Sequence, residues 1–146
     1  MEPQISIHWL AVLASVVAAM VIGFLWYGPV FGKVWAREMK MPPDFKPSSQ
    51  QMARAMVLQI VGAFLMTYVL AHDVQVWRPS VWNAGEDGAA HVYGFFAGFF
   101  IWVGFYVPQH LASVAWENKS WKLFFLNTTN ALVTLQTVGM ILAHWR

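Results

Sequence analysis

Four of the five histidines lie at the ends of long apolar segments, and imidazole is a common protein ligand for transition metals. His8 opens the first segment, His72 closes the second, His91 opens the third and His144 closes the fourth. If the segments alternate in direction, the four imidazoles share one depth and could hold a metal ion or a haem iron. No HExxH, CxxC or close His spacing strengthens this hypothesis. Boundary histidines without a ligand are the simpler interpretation, and His110 is interpreted as structural.

A second set of polar side chains could line a pathway or a ligand pocket. Asn127, Asn130, Thr134 and Thr137 follow a 3-4-3 spacing, which places them on one face of a helix. Gln59, in the second apolar segment, adds another amide at moderate depth. Hydrogen bonds between packed helices would satisfy the same groups. The pattern therefore predicts either a polar pocket or a purely structural network.

The fourth segment is also polar on its opposite side, where Thr129, Gln136 and Ala143 fall. A helix that faces lipid cannot be polar on both sides, because lipid satisfies no polar group. This segment is therefore predicted to lie centrally in a bundle or to contact a second protomer.

The elements that must position these residues are membrane-spanning helices. Hydrophobic residues make up 58% of the 146-residue chain and charged residues 11%, against roughly 45–50% and about 25% in globular domains. Four apolar runs are long enough to cross a bilayer. They cover residues 5–27, 52–72, 89–114 and 121–144. We predict one all-α domain, residues 1–146, that forms an integral membrane four-helix bundle.

Charged residues indicate the orientation and exclude some chemistry. Seven of the nine Lys and Arg residues lie at the first and third connections, and only Arg78 and Arg146 lie on the other side. By the positive-inside rule, both termini face outward and these two connections are cytoplasmic. No charged residue lies deep in a span, which argues against proton-coupled transport and an intramembrane carboxylate pair. The chain has no Cys, which excludes thiol-disulfide redox chemistry.

Small residues at intervals of four predict where helices approach closely, because association in lipid depends on tight packing. Two such stripes occur, one in the first segment and one in the third. They comprise Ala11, Ser15, Ala19 and Gly23, and Ala90, Gly94 and Gly98. We expect the two helices to contact each other through these stripes. Pro29 and Pro108, near the inner ends, are expected to kink or end their helices.

Parts of the two halves resemble each other. LQIVG at 58–62 matches LQTVG at 135–139, and each segment then ends in LAH. GFLWYGP at 23–29 resembles GFYVP at 104–108. These matches predict two tandem helix hairpins related by a pseudo-two-fold axis along the membrane normal. Chance matching in a composition rich in Leu, Val and Gly is the alternative.

The stretch WYGPVFGKVW at 26–35 resembles the end of the first helix in a bacterial membrane family, domain-of-unknown-function family 1761. ENKSWKLFFLN, which opens the fourth segment, the late Gly139 and the final Trp145 are similar too. The resemblance covers nearly the whole chain and implies a multi-pass protein of the bacterial inner membrane. It implies no activity and no functional residues.

Three hypotheses about function follow. The first is a non-enzymatic membrane module that binds or passes a small or lipophilic ligand. The second is a metal- or haem-binding protein that uses the four boundary histidines. The third is a structural or assembly subunit of a membrane oligomer. We expect the lipid bilayer and further copies of the chain as partners, no nucleic acid, and no cofactor apart from the metal or haem of the second hypothesis.

Overall fold

The computed structural model describes residues 2–145, so Met1 and Arg146 lie outside it. Within that range the chain is all-helical and has no strand, which confirms the predicted all-α class. Its α-helices are α1 (Trp9–Leu25), α2 (Gly32–Glu38), α3 (Ser49–Val76), α4 (Ala90–Ile101), α5 (Val107–Glu117) and α6 (Trp121–His144). A short 3-10 turn, Pro79–Trp82, lies in the connection between α3 and α4.

Two π-helical segments interrupt the long helices where the prolines predict a break. Trp26–Val30 follows α1 and contains Pro29, and Gly28 within it leaves the helical region of backbone angles. Trp102–Tyr106 joins α4 to α5, and Pro108 lies in the first turn of α5. Proline lacks an N–H and crowds the carbonyl four residues earlier, so the α-helical ladder changes register before it.

Three helical stretches are long and apolar enough to cross a membrane: Trp9–Val30, Ser49–Val76 and Ala90–Glu117. They correspond to the first three predicted spans. The fourth predicted span coincides with α6, whose Asn, Thr and Gln residues lower its mean hydropathy, and α6 is not among the three. The four-span topology therefore stays a prediction.

Hydrogen bonds define the two ends of the molecule. At the connection end, where the first and third connections lie, Ser120 Oγ donates to Glu38. At the terminal end, Gln4 N donates to Val81 O, and Arg78 donates to Ala143 O. The termini and the second connection thus share one end, as alternating helices require.

α6 lies at the centre and packs against α1, α3, α4 and α5. Its apolar face, including Leu135 and Val138, is fully buried. The fourth segment was predicted either to lie centrally or to contact a second protomer, and in the structure it lies centrally. α3 lies at the edge, and its first half, residues 49–62, is exposed throughout. In a membrane such apolar exposed faces contact lipid.

The predicted pairing of the two small-residue stripes is wrong. α1 packs mainly on α6 and α3, and α4 packs mainly on α6. A Cβ atom added at Gly94 would lie 2.6 Å from Gly139 O, and one added at Gly98 would lie 2.9 Å from Leu135 O. The glycines of α4 thus pack against the backbone of α6 at Gly139 and Leu135, where a side chain on α4 would not fit. In the α1 stripe, Ala11, Ser15 and Ala19 are buried.

Candidate functional site

A large cavity lies in the half of the bundle nearest the connection end. It has a volume of about 710 Å³ and is bounded by the C-terminal half of α1, the N-terminal half of α3, and residues of α5 and α6. Its existence follows from the arrangement of the helices, because the first half of α3 stands away from α1 and α6. Cavities of 300–1,000 Å³ are typical of small-molecule sites.

One wall of the cavity is polar and comes from α6. Asn127, Asn130 and Thr134 line it. Tyr27, at the end of α1, donates its hydroxyl to Asn127 Oδ1 at 2.9 Å, which fixes that amide. Asn130 Nδ2 is buried and has no hydrogen-bond partner among the described residues. Asn130 therefore lines the cavity and carries an amide donor that the described residues leave unpaired.

The opposite wall is apolar and rich in methionine. Met20 of α1 and Met52, Met56 and Met66 of α3 line it, together with Phe24. Phe24, Met52 and Met56 are at least about half exposed on the outer surface. The cavity therefore opens sideways between α1 and α3, toward the lipid. Methionine side chains are flexible and adapt to ligands of irregular shape.

The structure places four of the five predicted pathway residues around this cavity: Gln59, Asn127, Asn130 and Thr134. Thr137 is not among its lining residues, and its hydroxyl donates to Val133 O at 2.8 Å. Ten residues separate it from Asn127, which is about 15 Å along a helix. Thr137 therefore shares the face but lies beyond the end of the cavity.

Three lining residues that carry a hydroxyl or an imidazole, Tyr27, Tyr106 and His110, were not predicted as site residues. The sequence analysis assigns no site role to Tyr27 or Tyr106, and it interprets His110 as structural. All three line the cavity. Under the predicted topology His110 falls near the same end as Gln59 and Asn127, and that shared depth was the available signal. The π-helical breaks move these side chains off the regular helix face, which periodicity alone does not predict.

The four boundary histidines do not gather into one site. No group of three or more His, Asp or Glu side chains within residues 2–145 could hold a metal ion. His8 Nδ1 accepts from Ala11 N at 3.3 Å and so caps α1. The Nδ1 atoms of His72 and His144 lie 2.8 and 2.9 Å from the carbonyls of Tyr68 and Met140. Metal or haem binding by these four histidines therefore stays a prediction, and no cluster of ligands among residues 2–145 supports it.

The lining of the cavity suits the binding of an uncharged ligand. No Asp, Glu, Lys or Arg is among its lining residues. Its groups are amides, hydroxyls, one imidazole and a large apolar surface, which suit an uncharged polar group attached to an apolar body. His110 is the only lining side chain with an ordinary pKa near neutrality.

Comparison with known proteins places the chain among uncharacterised membrane proteins. The sequence model of a family described as "Protein of unknown function (DUF1761)" matches residues 10–143. A relative from Schizosaccharomyces pombe, UPF0591 membrane protein C15E1.02c, is 23% identical over 133 residues, which cover 91% of this chain and 85% of the relative. This relative is eukaryotic, so the bacterial origin stays a prediction. No solved structure matches the chain.

Proposed function

The chain belongs to the family of unknown function DUF1761, and we propose that this membrane protein is a non-enzymatic module that binds a small lipophilic ligand in the cavity between α1, α3 and α6. The ligand carries an apolar body and at least one oxygen that accepts a hydrogen bond. It enters from the bilayer through the opening between α1 and α3.

The buried Nδ2 of Asn130 is the observation that carries this proposal. A buried donor without a partner costs about 1–3 kcal/mol, because it has lost water and gained nothing. Among residues 2–145 this Nδ2 has no partner, although Asn130 lines a cavity large enough for a ligand. A carbonyl, hydroxyl or ether oxygen of a ligand would satisfy it.

The methionine-rich wall supports the apolar part of the ligand. It offers deformable contact rather than a rigid outline, which favours a chain or ring system over a compact polar molecule. The sideways opening agrees with a ligand that dissolves in the bilayer. Passage of the ligand across the membrane would need a second opening at the terminal end, so binding is the proposal.

The experiment fills the cavity without disturbing the backbone. A Cβ atom added at Gly62 meets no atom within 4 Å, and Gly62 lines the cavity. Protein purified in mild detergent is extracted, and lipophilic molecules that remain bound are quantified by mass spectrometry. We expect the native chain to retain one species near equal stoichiometry, and Gly62→Leu to lose most of it.

Gly104→Leu is the matched control, because Gly104 is equally open but does not line the cavity. Asn130→Leu should weaken retention about tenfold, equivalent to roughly 1.4 kcal/mol for a lost hydrogen bond. Equal retention by the native, Gly62→Leu and Asn130→Leu proteins would show that the cavity is not the site.

The bacterial inner-membrane location, outward termini and homo-oligomeric state remain parts of this proposal. Because the chain has no Cys, single cysteines introduced at Ser49 and at Ser80 would report topology without background labelling. We expect an impermeant thiol reagent added to whole cells to label position 80 and not position 49. The reverse labelling would invert the proposed topology.

An assembly role draws less support than ligand binding. Each polar face of α6 has at least one partner within the chain, because Asn127 accepts from Tyr27 and Gln136 Nε2 donates to Phe95 O. The two-sided polarity of this helix therefore does not require a second protomer.

A further inference from the structure

A second, smaller pocket lies at the terminal end, far from the cavity of the proposed function. Its volume is about 340 Å³. Polar and charged side chains dominate its lining: Gln4, Ser6, His8, Gln75, Arg78, Ser80 and the carboxylate residue Asp87. We propose that this pocket binds the phosphate group of a zwitterionic lipid headgroup.

Arg78 is the reason to expect a ligand. This residue is only 1% exposed. Its guanidinium makes three contacts within the protein. Its guanidinium pairs with Asp87 at 3.2 Å, donates to Ala143 O at 2.7 Å and lies over the Tyr93 ring at 5.1 Å. Its Nε is buried and has no hydrogen-bond partner among the described residues. Arg78 lines the polar pocket, and a buried N–H without a partner needs an acceptor even where the rest of its guanidinium is paired.

The acceptor that suits a guanidinium best is an oxyanion, because charge-assisted bonds from Arg to phosphate or carboxylate are short and strong. The pocket lies at the level where headgroups are expected. Trp9, Trp77 and Trp145 are exposed around this end, and tryptophan side chains settle at the membrane–water boundary. A lipid phosphate is therefore the oxyanion present at this depth in high concentration.

Charge balance selects the kind of headgroup. Asp87 already neutralises Arg78, and both side chains are buried. A ligand with a net negative charge would enter without a counter-charge, which burial makes costly. A zwitterionic headgroup adds no net charge. Its phosphate can accept from Arg78 Nε, while the side-chain carbonyls of Gln4 and Gln75 can accept from a primary ammonium. This arrangement favours phosphatidylethanolamine over phosphatidylcholine and over phosphatidylglycerol.

The test measures the thermal midpoint of the purified full chain in detergent with added short-chain lipids. We expect short-chain phosphatidylethanolamine to raise the midpoint in proportion to its concentration. Phosphatidylcholine and phosphatidylglycerol should do so at least about tenfold less effectively. Short-chain diacylglycerol, which lacks the phosphate, should have no effect. A shift of equal size with inorganic phosphate would mean that the pocket binds phosphate, but free phosphate rather than a lipid headgroup.

Arg78→Lys keeps a cation beside Asp87 but removes Nε, so we expect binding to weaken more than tenfold. If that variant fails to fold, Gln75→Ala decides, with binding expected about three- to tenfold weaker for one lost hydrogen bond. Gln50→Ala, exposed at the other end of α3, is its control. Gly62→Leu, in the large cavity, should leave the shift unchanged, which separates this site from the proposed function.

Three results would overturn the proposal. The first is a native protein whose midpoint no phosphate-bearing probe raises. The second is a folded Arg78→Lys variant, or a Gln75→Ala variant, that binds as the native chain does. The third is a density map of the lipid-saturated protein in which Arg78 Nε donates only to an ordered water.

Discussion

α3 and α6 begin and end alike, yet one lies at the edge of the molecule and the other at its centre. Each is capped by a serine, Ser48 or Ser120. Each carries an LQxVG motif and ends in LAH, with the histidine Nδ1 within 3 Å of the carbonyl four residues earlier. Their surroundings differ completely, since the first half of α3 is exposed and α6 packs against the other long helices.

The two motif glycines show what the difference means. At Gly62 an added Cβ meets nothing within 4 Å, while at Gly139 it would lie 2.5 Å from Gly94 O. The same five-residue motif thus lines an open cavity in one helix and a closed contact in the other. Local sequence sets where a helix starts and stops, and the facing helix decides whether a glycine is a contact or a gap. The pseudo-two-fold relation of the hairpins stays a prediction. The two motif glycines, at least, are packed differently.

The largest expected effect separates these two glycines. Gly139→Ala should destabilise the protein by about 1–3 kcal/mol, because its methyl group collides with backbone that cannot easily move. Gly62→Ala should be neutral or stabilising by up to about 1 kcal/mol, since alanine is the better helix former and the space is free. Reversible thermal or denaturant unfolding in detergent, followed by tryptophan fluorescence, measures both. Equal losses at the two positions would contradict the packing described for α6.

The two serine caps provide the next test. Ser48 accepts from Gln51 N at 3.2 Å in an exposed capping box. Ser120 accepts from Leu123 N at 3.2 Å and also donates to Glu38. We expect Ser48→Ala to cost about 1 kcal/mol. Ser120→Ala should cost about 2 kcal/mol, because a hydrogen bond to a carboxylate is lost as well.

Threonine provides the control for these caps, since Ser120→Thr keeps the hydroxyl and should recover most of the lost stability. Unfolding midpoints of the four proteins, native and variant, are compared under one condition. If Ser48→Ala proves the more damaging change, the bond that ties α2 to the start of α6 contributes nothing to stability.

Much of the helical framework could be predicted from the sequence, because it depends on local signals. The apolar run at 52–72 marks α3, which in the structure covers Ser49–Val76. The helix begins before the run because Ser48 and Gln51 form a capping box that hydropathy ignores. The breaks at Pro29 and Pro108 follow from proline chemistry. The pairing of α4 with α6 could not be predicted, because both stripes look equally suited to close packing and only the position of Gly139 decides.

The candidate site divides in the same way. The 3-4-3 spacing in α6 groups Asn127, Asn130 and Thr134, and the structure places all three on the cavity wall. The other wall depends on α3 standing away from α1, a tertiary feature with no local signature. His110 lines the cavity from α5, which follows a π-helical break. Periodicity within one helix therefore finds one wall, and the facing wall needs the fold.

The smallest expected effect concerns the two motif glutamines. Gln136 Nε2 donates to Phe95 O at 3.2 Å, whereas Gln59 is exposed on α3 and lines the cavity. Gln136→Leu should cost about 0.6 kcal/mol, the average for an interhelical hydrogen bond in a membrane protein. Gln59→Leu should leave stability unchanged within measurement. A clear loss from Gln59→Leu, growing with protein concentration, would mean that α3 pairs with a second copy of the chain. The free edge of the molecule would then be an interface, and the contrast between the two helices would disappear in the assembled protein.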